Sequence, residues 1–340
     1  MNPVEILLLR PVGDQPSPVD QSLGARLAAA DNVLRETVVL QQDSFQDGDL
    51  SDLEKRLEPW AGKVRGVVGA TGVSESNKLG RLAEQWGLLC FVANNNPSVW
   101  EGRSHIFHIG VPTSLTTQAV AENLVQGLGA KKVYLLHDDT EFQSLVAART
   151  GGFLEEAKVA VRSQTGREDG WVDDVRSWSP DVLYLIYSEE RLAAPMVRSL
   201  RSAVKDLPIL LGRSLIRRSF FSALGEFANG LLLVDIFSRG APRNEMEKRF
   251  GSMLTGQGVN LPTANHGFGW DAMTLCGRAL AQANGEPKSA IDYLEAGVRL
   301  EGVTGSYRFS RNDHNGRSDF NPTVLSRVDG DKVSPCFTDP

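Results

Sequence analysis

The chain has 340 residues, enough for about two domains at roughly 100 to 200 residues each, which excludes a minimal module stapled by disulfides or metal. Its composition, 41% hydrophobic and 23% charged, is that of a globular chain, and no apolar run approaches the ~20 residues that span a bilayer. A formal charge of −6 gives no general attraction to phosphate backbones or anionic lipid, so neither a nucleic-acid partner nor membrane insertion is expected.

Short apolar runs alternate with longer segments of helical period, the pattern of parallel sheets covered by helices. Val4 to Arg10, Thr37 to Gln41, Val64 to Gly69 and Leu88 to Ala93 read as strands. Between them, Gly24 to Leu34, Leu50 to Trp60 and Ser74 to Trp86 read as helices, with apolar residues three to four apart, as in Leu79, Leu82, Ala83 and Trp86. After a break at Gly110 to Thr113 the series repeats. Its strands are Lys132 to His137, Val159 to Ser163, Val182 to Tyr187, Ile209 to Gly212 and Gly230 to Ile236. Its helices are Ser114 to Leu128, Phe142 to Ala157, Val172 to Trp178, Arg191 to Ala203 and Ser219 to Phe227. Helices at Asn244 to Leu254, Asn265 to Asn284 and Ser289 to Leu300 then precede a tail, Gly302 to Val333, rich in turns between short strands. The expected fold class is α/β, with two doubly wound parallel-sheet lobes.

Ligands of open parallel sheets bind beyond the carboxyl ends of the strands, where loops and helix N-termini converge, and two facing sheets would close a cleft. Polar clusters fall at those ends: Arg10 to Pro18, Thr71 to Ser76, Asn94 to Pro97, Ser188 to Glu190 and Arg213 to Arg218. The turn from Gly69 to Ser76 offers N–H groups and hydroxyls to a carboxylate at the positive end of a helix, or its serines simply cap that helix. Asn94, Asn95 and Asn96 supply amide donors and acceptors, or form a plain turn. Arg10 and Arg213 each end a strand, where a guanidinium fork can meet a carboxylate. Glu189 and Glu190 suit either an acid–base pair or the first turn of a helix.

The remaining reactive residue types form no recognisable constellation. Cys90, Cys276 and Cys336 lie far apart, and Cys90 and Cys276 sit in apolar runs as core residues. His105, His108, His137, His266 and His314 share no ligand spacing, and there is neither a P-loop nor a G-x-S-x-G elbow, so no metal or cofactor is expected. Asp313 to Asp319 reads as a turn, because its glycine falls too early for a calcium loop and no bidentate Glu follows.

Several strings, in order along about 300 residues, resemble the type I periplasmic solute-binding proteins, the branched-chain amino acid (Leu/Ile/Val) receptor family of ABC importers. They are Leu23-Gly24-Ala25-Arg26-Leu27-Ala28; Gly66-Val67-Val68-Gly69 leading to Ser74; Trp86-Gly87-Leu88-Leu89; Lys131 to Asp139 followed by Phe142; Trp270-Asp271-Ala272-Met273; and Gly302-Val303-Thr304-Gly305 with Phe309 and Asn315-Gly316. The resemblance implies lobes of residues 1–112 plus 242–310 and 113–241 plus 311–340, crossovers near Val111 to Thr113, Ser238 to Pro242 and Phe309 to Asp313, and hinge closure on a small ligand. It implies that Ser74 with Asn94 and Asn95 receives the ligand's α-carboxylate, and that Phe142 and Tyr187 contribute aromatic rings from the second lobe. A membrane permease is the implied partner of a monomeric, periplasmic, non-enzymatic protein. The chain opens Met1-Asn2-Pro3 with no secretory signal, so that assignment expects a leader missing from this sequence; a cytoplasmic protein is the other reading.

Two departures from the family pattern bear on the ligand. Where the receptors carry an acidic partner for the ligand ammonium, this chain has Arg213-Ser214, and the loop that often offers a Trp holds Gln15-Pro16-Ser17-Pro18, making Ser17 a candidate contact. With Arg10 and Arg213 present, the expected ligand bears one or two carboxylates and little positive charge, because a desolvated cation beside unpaired guanidinium is costly. Competing readings are a ligand-sensing regulatory domain of the same fold and a cleft enzyme using Glu189 or Glu190 as base.

Overall fold

Each run of alternating strands and helices folds into its own sheet-centred unit. The computed structural model describes residues 3–13, 16–69, 72–94, 96–166, 170–236, 241–317, 323–330 and 332–336. Unit 1 takes Met1–Pro112 and Asn244–Phe320, and unit 2 takes Thr113–Arg243 and Asn321–Pro340, so the chain crosses between them three times.

The first segment runs β1 (Val4–Pro11), α1 (Pro16–Ala30), β2 (Val38–Phe45), α2 (Leu50–Leu57), β3 (Gly66–Gly69), α3 (Val73–Trp86), β4 (Leu89–Val92) and β5 (Ile106–His108). The strands form one parallel sheet of order β2-β1-β3-β4-β5. Strands β1, β3 and β4 are apolar along almost their whole length because helices cover both sheet faces, and Leu7, Leu9, Val67 and Cys90 are fully buried. Strand β5 carries only three residues, too few to show a period, and the sequence reading passes over it.

In unit 2 follow α4 (Thr113–Glu122), β6 (Lys132–His137), α5 (Glu141–Glu156), β7 (Ala160–Thr165), α6 (Trp171–Trp178), β8 (Val182–Ile186), α7 (Glu190–Ala203), β9 (Ile209–Leu211), α8 (Arg218–Leu224) and β10 (Leu232–Asp235). The chain then returns to unit 1 for α9 (Glu245–Gly256), α10 (Ala264–Gln282), α11 (Pro287–Glu295) and the hairpin β11 (Leu300–Gly302) with β12 (Gly305–Tyr307), and ends in unit 2 with β13 (Val324–Asp329) and β14 (Lys332–Pro335). The second sheet has order β14-β13-β10-β9-β8-β6-β7, with β13 and β14 running antiparallel to close one edge.

Helix α10 is the spine of unit 1. Its Gly269 and Gly24 of α1 let the two backbones touch: a Cβ at Gly24 would lie 1.9 Å from the His266 carbonyl, and one at Gly269 would lie 1.9 Å from the Gln21 carbonyl. Helix α11 stops earlier than its apolar period suggests, because Gly297, at φ +73°, turns the chain into β11.

The boundary of the third crossing differs from the expected one. Residues 311–317, assigned by sequence to the second lobe, are fastened in unit 1. Arg317 is fully buried, donates to the Thr304 carbonyl at 2.7 Å and to the hydroxyls of Thr304 and Tyr307, and lies 4.0 Å over the Tyr307 ring. Asp271 accepts from the N–H groups of Val303 (2.7 Å) and Thr304 (3.0 Å) and from the Tyr307 hydroxyl (2.9 Å). A buried Arg and Asp, both bonded to the loop of Thr304 and Tyr307, hold the chain in place until it leaves for unit 2. At the second crossing, Asn244 caps α9 by accepting from the Glu247 N–H at 2.9 Å; Ser238, Arg239 and Gly240 of that expected crossover lie outside the described residues.

Candidate functional site

The strand registers bring the sequence-chosen residues of unit 1 to one sheet edge. Leu9 pairs with Gly69 and Val68 with Phe91, so β1, β3 and β4 end level with one another. Arg10, Ser74 and Asn94 therefore emerge side by side. A small crevice at this edge is lined by Arg10, Gln21 and Ser22 among mainly apolar residues, Leu8, Phe91 and Phe268 included.

Neither serine of α3 caps it: Gly72 is the N-cap, with no side-chain cap bond. Ser74 is exposed in the first turn, while Ser76 is fully buried with no hydrogen-bond partner for its Oγ. Asn94 is buried, and its side-chain oxygen accepts from the Asn96 N–H at 2.8 Å, as that of Asn96 accepts from Ser98 at 3.1 Å; the turn and the polar cluster are thus one structure. Asn95 lies outside the described residues. Ser17 is half-buried, and its Oγ accepts from Asn265 Nδ2 at 3.1 Å.

Beside Ser17, Thr263 donates to Asp20 at 2.6 Å and His266 Nε2 lies 3.4 Å from the same carboxylate. These bonds fix the start of α1 against the start of α10. Sequence reasoning missed them, since the partners lie 243 residues apart and only the Thr263-to-His266 capping box is locally visible.

Unit 2 presents a second such edge, where β6, β8 and β9 are neighbours. Its organiser is Asp138, which the sequence reading did not single out. One carboxylate oxygen accepts from the Thr140 N–H (3.1 Å) and hydroxyl, the other from the Ser188 N–H (2.9 Å) and hydroxyl (2.8 Å). Burial alone would raise its pKa, but these bonds from Thr140 and Ser188 outweigh it and hold the carboxyl below its ordinary value. Thr140 in turn caps α5, and Phe142 in the first turn is 46% exposed.

Tyr187 is only 4% exposed and packs in the core of unit 2 with Ala193 and Met196; a Cβ at Gly166 would lie 2.0 Å from its hydroxyl. Arg213 is half-buried in the short turn after β9, and its charge reaches Tyr184, whose hydroxyl burial pushes up to about 12 against the opposing pull of Arg213. Glu189 accepts from Arg191 Nε at 2.6 Å, and Glu190 accepts from Ser219 at 2.9 Å with Arg217 at 3.7 Å. Glu190 thereby ties α7 to the start of α8, whereas the Glu189 pair stays within the start of α7 itself. Among the described residues no group of three or more His, Cys, Asp or Glu side chains is placed to hold a metal ion, and no helix is long and apolar enough to cross a membrane.

Two sheets dominated by parallel strands, three crossings and polar residues gathered at the carboxyl edges define the type I periplasmic-binding-protein fold. The chain belongs to the periplasmic binding protein family, which it matches over residues 58–331. Among solved structures it is similar to a leucine-binding protein of Thermotoga maritima MSB8, with 19% identity over 98% of this chain and 97% of the other, at a TM-score of 0.74. It is also similar to a putative branched-chain amino acid ABC transporter protein from Rhodospirillum rubrum (20% identity, 98% and 99% coverage, TM-score 0.80). A third is an ABC transporter solute-binding protein of R. palustris in complex with benzoate (14% identity, 98% and 95% coverage, TM-score 0.71). A comparison with curated proteins finds no match.

Proposed function

We propose that this protein is the extracytoplasmic solute-binding component of an ABC importer, and that it binds a small carboxylate-bearing metabolite, amino-acid-like or an organic or aromatic acid, without altering it. The observation that carries the reading is the family match joined to the polar residues at the carboxyl edge of each sheet, since open parallel sheets receive ligands there. Arg10, Ser17, Ser74, Asn94 and Asn95 of unit 1 receive the ligand, and Phe142, Tyr187 and Arg213 of unit 2 complete its surround as the three crossings flex. Only ligand contacts that differ between the open and closed forms can drive such closure. The closed form, a monomer in the periplasm, is what a membrane permease recognises. The leucine and benzoate named for the two related proteins support a carboxylate as the shared ligand feature.

The test is small-angle scattering of the protein with and without a bound carboxylate. Compaction on binding is the expected result, and an unchanged radius of gyration at saturation argues against hinge closure.

A further inference from the structure

A cavity of about 620 Å³ lies at the end of the unit-1 sheet where β4 and β5 begin, away from the edge that carries Arg10, Ser74 and Asn94, with α11 as its facing wall. That volume is within the roughly 300 to 1,000 Å³ of small-molecule sites. Most of its charged lining is held in place by other residues. Arg103 donates to Glu84 at 3.2 Å, and the same carboxylate accepts from the Ser104 N–H at 3.2 Å, so Glu84 pins the turn before β5. His105 Nδ1 lies 2.9 Å from the Leu88 carbonyl. On α11, Glu286 caps the helix by accepting from the Lys288 N–H at 3.3 Å, and Glu295 lies 3.0 Å from Nε2 of the buried His314 and 3.6 Å from Arg311 Nε. Among these charged groups, Lys288 and Asp292 alone have no hydrogen bond or ion pair through their side chains with the described residues. They are exposed, four residues apart, and so stand one turn from each other on the helix face that lines the cavity.

We propose that this cavity is a second binding site, for a small zwitterion such as a free amino acid, whose carboxylate meets Lys288 and whose ammonium meets Asp292. The charge layout selects that class. A simple anion drawn to Lys288 is repelled by Asp292 one turn away, and a simple cation drawn to Asp292 is repelled by Lys288, so each gains little. A molecule carrying both charges gains from both residues. The site is independent of the carboxyl-edge residues invoked for solute binding, which lie at the other end of the strands.

The probes are alanine and its two halves, propionate and ethylammonium, titrated by NMR at low salt into the full chain carrying Ser74→Ala and Asn95→Ala, which removes the proposed carboxylate seat. Alanine should bind at least about fivefold more tightly than either half, the size of one exposed charge contact. Adding Lys288→Gln or Asp292→Asn, both on the exposed face of α11, should weaken alanine by about the same factor. Backbone amide shifts in the wild-type chain give a second readout, which needs no variant to fold: saturating alanine should move those of Ser104 and Asp292, and propionate should leave them in place. The site is overturned if alanine does not bind, if propionate binds as well as alanine, if the α11 substitutions leave alanine affinity unchanged, or if the Ser104 and Asp292 shifts stay put. None of these results bears on the solute-binding reading, which concerns the opposite edge of the sheet.

Discussion

The two sheet edges differ in how their polar groups are satisfied. In unit 2, Asp138 collects four donors from Thr140 and Ser188, Thr140 caps α5, and Glu190 is held by Ser219 and Arg217. In unit 1, α3 begins at Gly72 with no side-chain cap, Ser74 is exposed, and the buried Ser76 Oγ has no partner among the described residues. The contrast teaches a division of labour. Around Asp138 and Glu190 the side chains are pre-set by their own bonds, whereas the start of α3 leaves a buried hydroxyl unpaired, and under the proposed function that end of unit 1 is where a polar ligand would dock first.

The largest effect that would sharpen this contrast is on the unit-1 side. Ser74→Ala combined with Asn95→Ala should weaken binding of a carboxylate ligand by about 100-fold, as expected for losing two hydrogen bonds to a charged group. Thermal melting without ligand should change little, and an unchanged affinity by calorimetry would remove the proposed seat.

On the unit-2 side the same kind of change should strike folding instead. Asp138→Asn exchanges an acceptor of four bonds for an amide that keeps fewer, and should lower stability by about 2 kcal/mol in denaturant titrations. The pH dependence has a definite sign. The folded-state pKa of Asp138 is depressed, so its contribution is present above the ordinary value of 3.8 and is lost as pH falls through the depressed value. The acid limb of the stability curve should therefore be shallower in the variant, and equal limbs would show that Asp138 does not organise this edge.

A smaller effect, on selectivity, is expected at Arg213. Arg213→Ala should cost acidic ligands about tenfold in affinity through loss of a charge-assisted contact while sparing neutral ones. Equal losses across both classes would return Arg213 to a structural role beside Tyr184.

Much of the architecture was legible because buried parallel strands such as β1 and β4 write themselves as continuous apolar runs, α3 as a clear helical period, and α10 as a longer stretch buried on nearly every face with glycine at its close contacts. The edges of both sheets followed from that, which is why Arg10, Ser74, Asn94, Phe142 and Arg213 could be placed from sequence. What escaped were partnerships across long separations and conformational detail. Asp138 looks like one of two adjacent loop acids, and only the pairing of β6 with β8 brings Ser188 to it. Arg317, in a turn-rich stretch, gave no sign that it would be buried against Thr304 and Tyr307, so the third crossing was set too early. Tyr187 was identifiable as an aromatic at a strand end, but its burial depends on the bare backbone of Gly166.

The most direct test of the central claim is a thermal-shift screen of the full chain against amino acids, amides, aromatic acids and dicarboxylates. A true ligand at about 100 times its Kd adds about 2.7 kcal/mol to the native state, which for a chain of this size raises the melting temperature by about 4 °C. The account predicts such a shift for at least one small carboxylate. A screen in which no carboxylate moves the transition would contradict it.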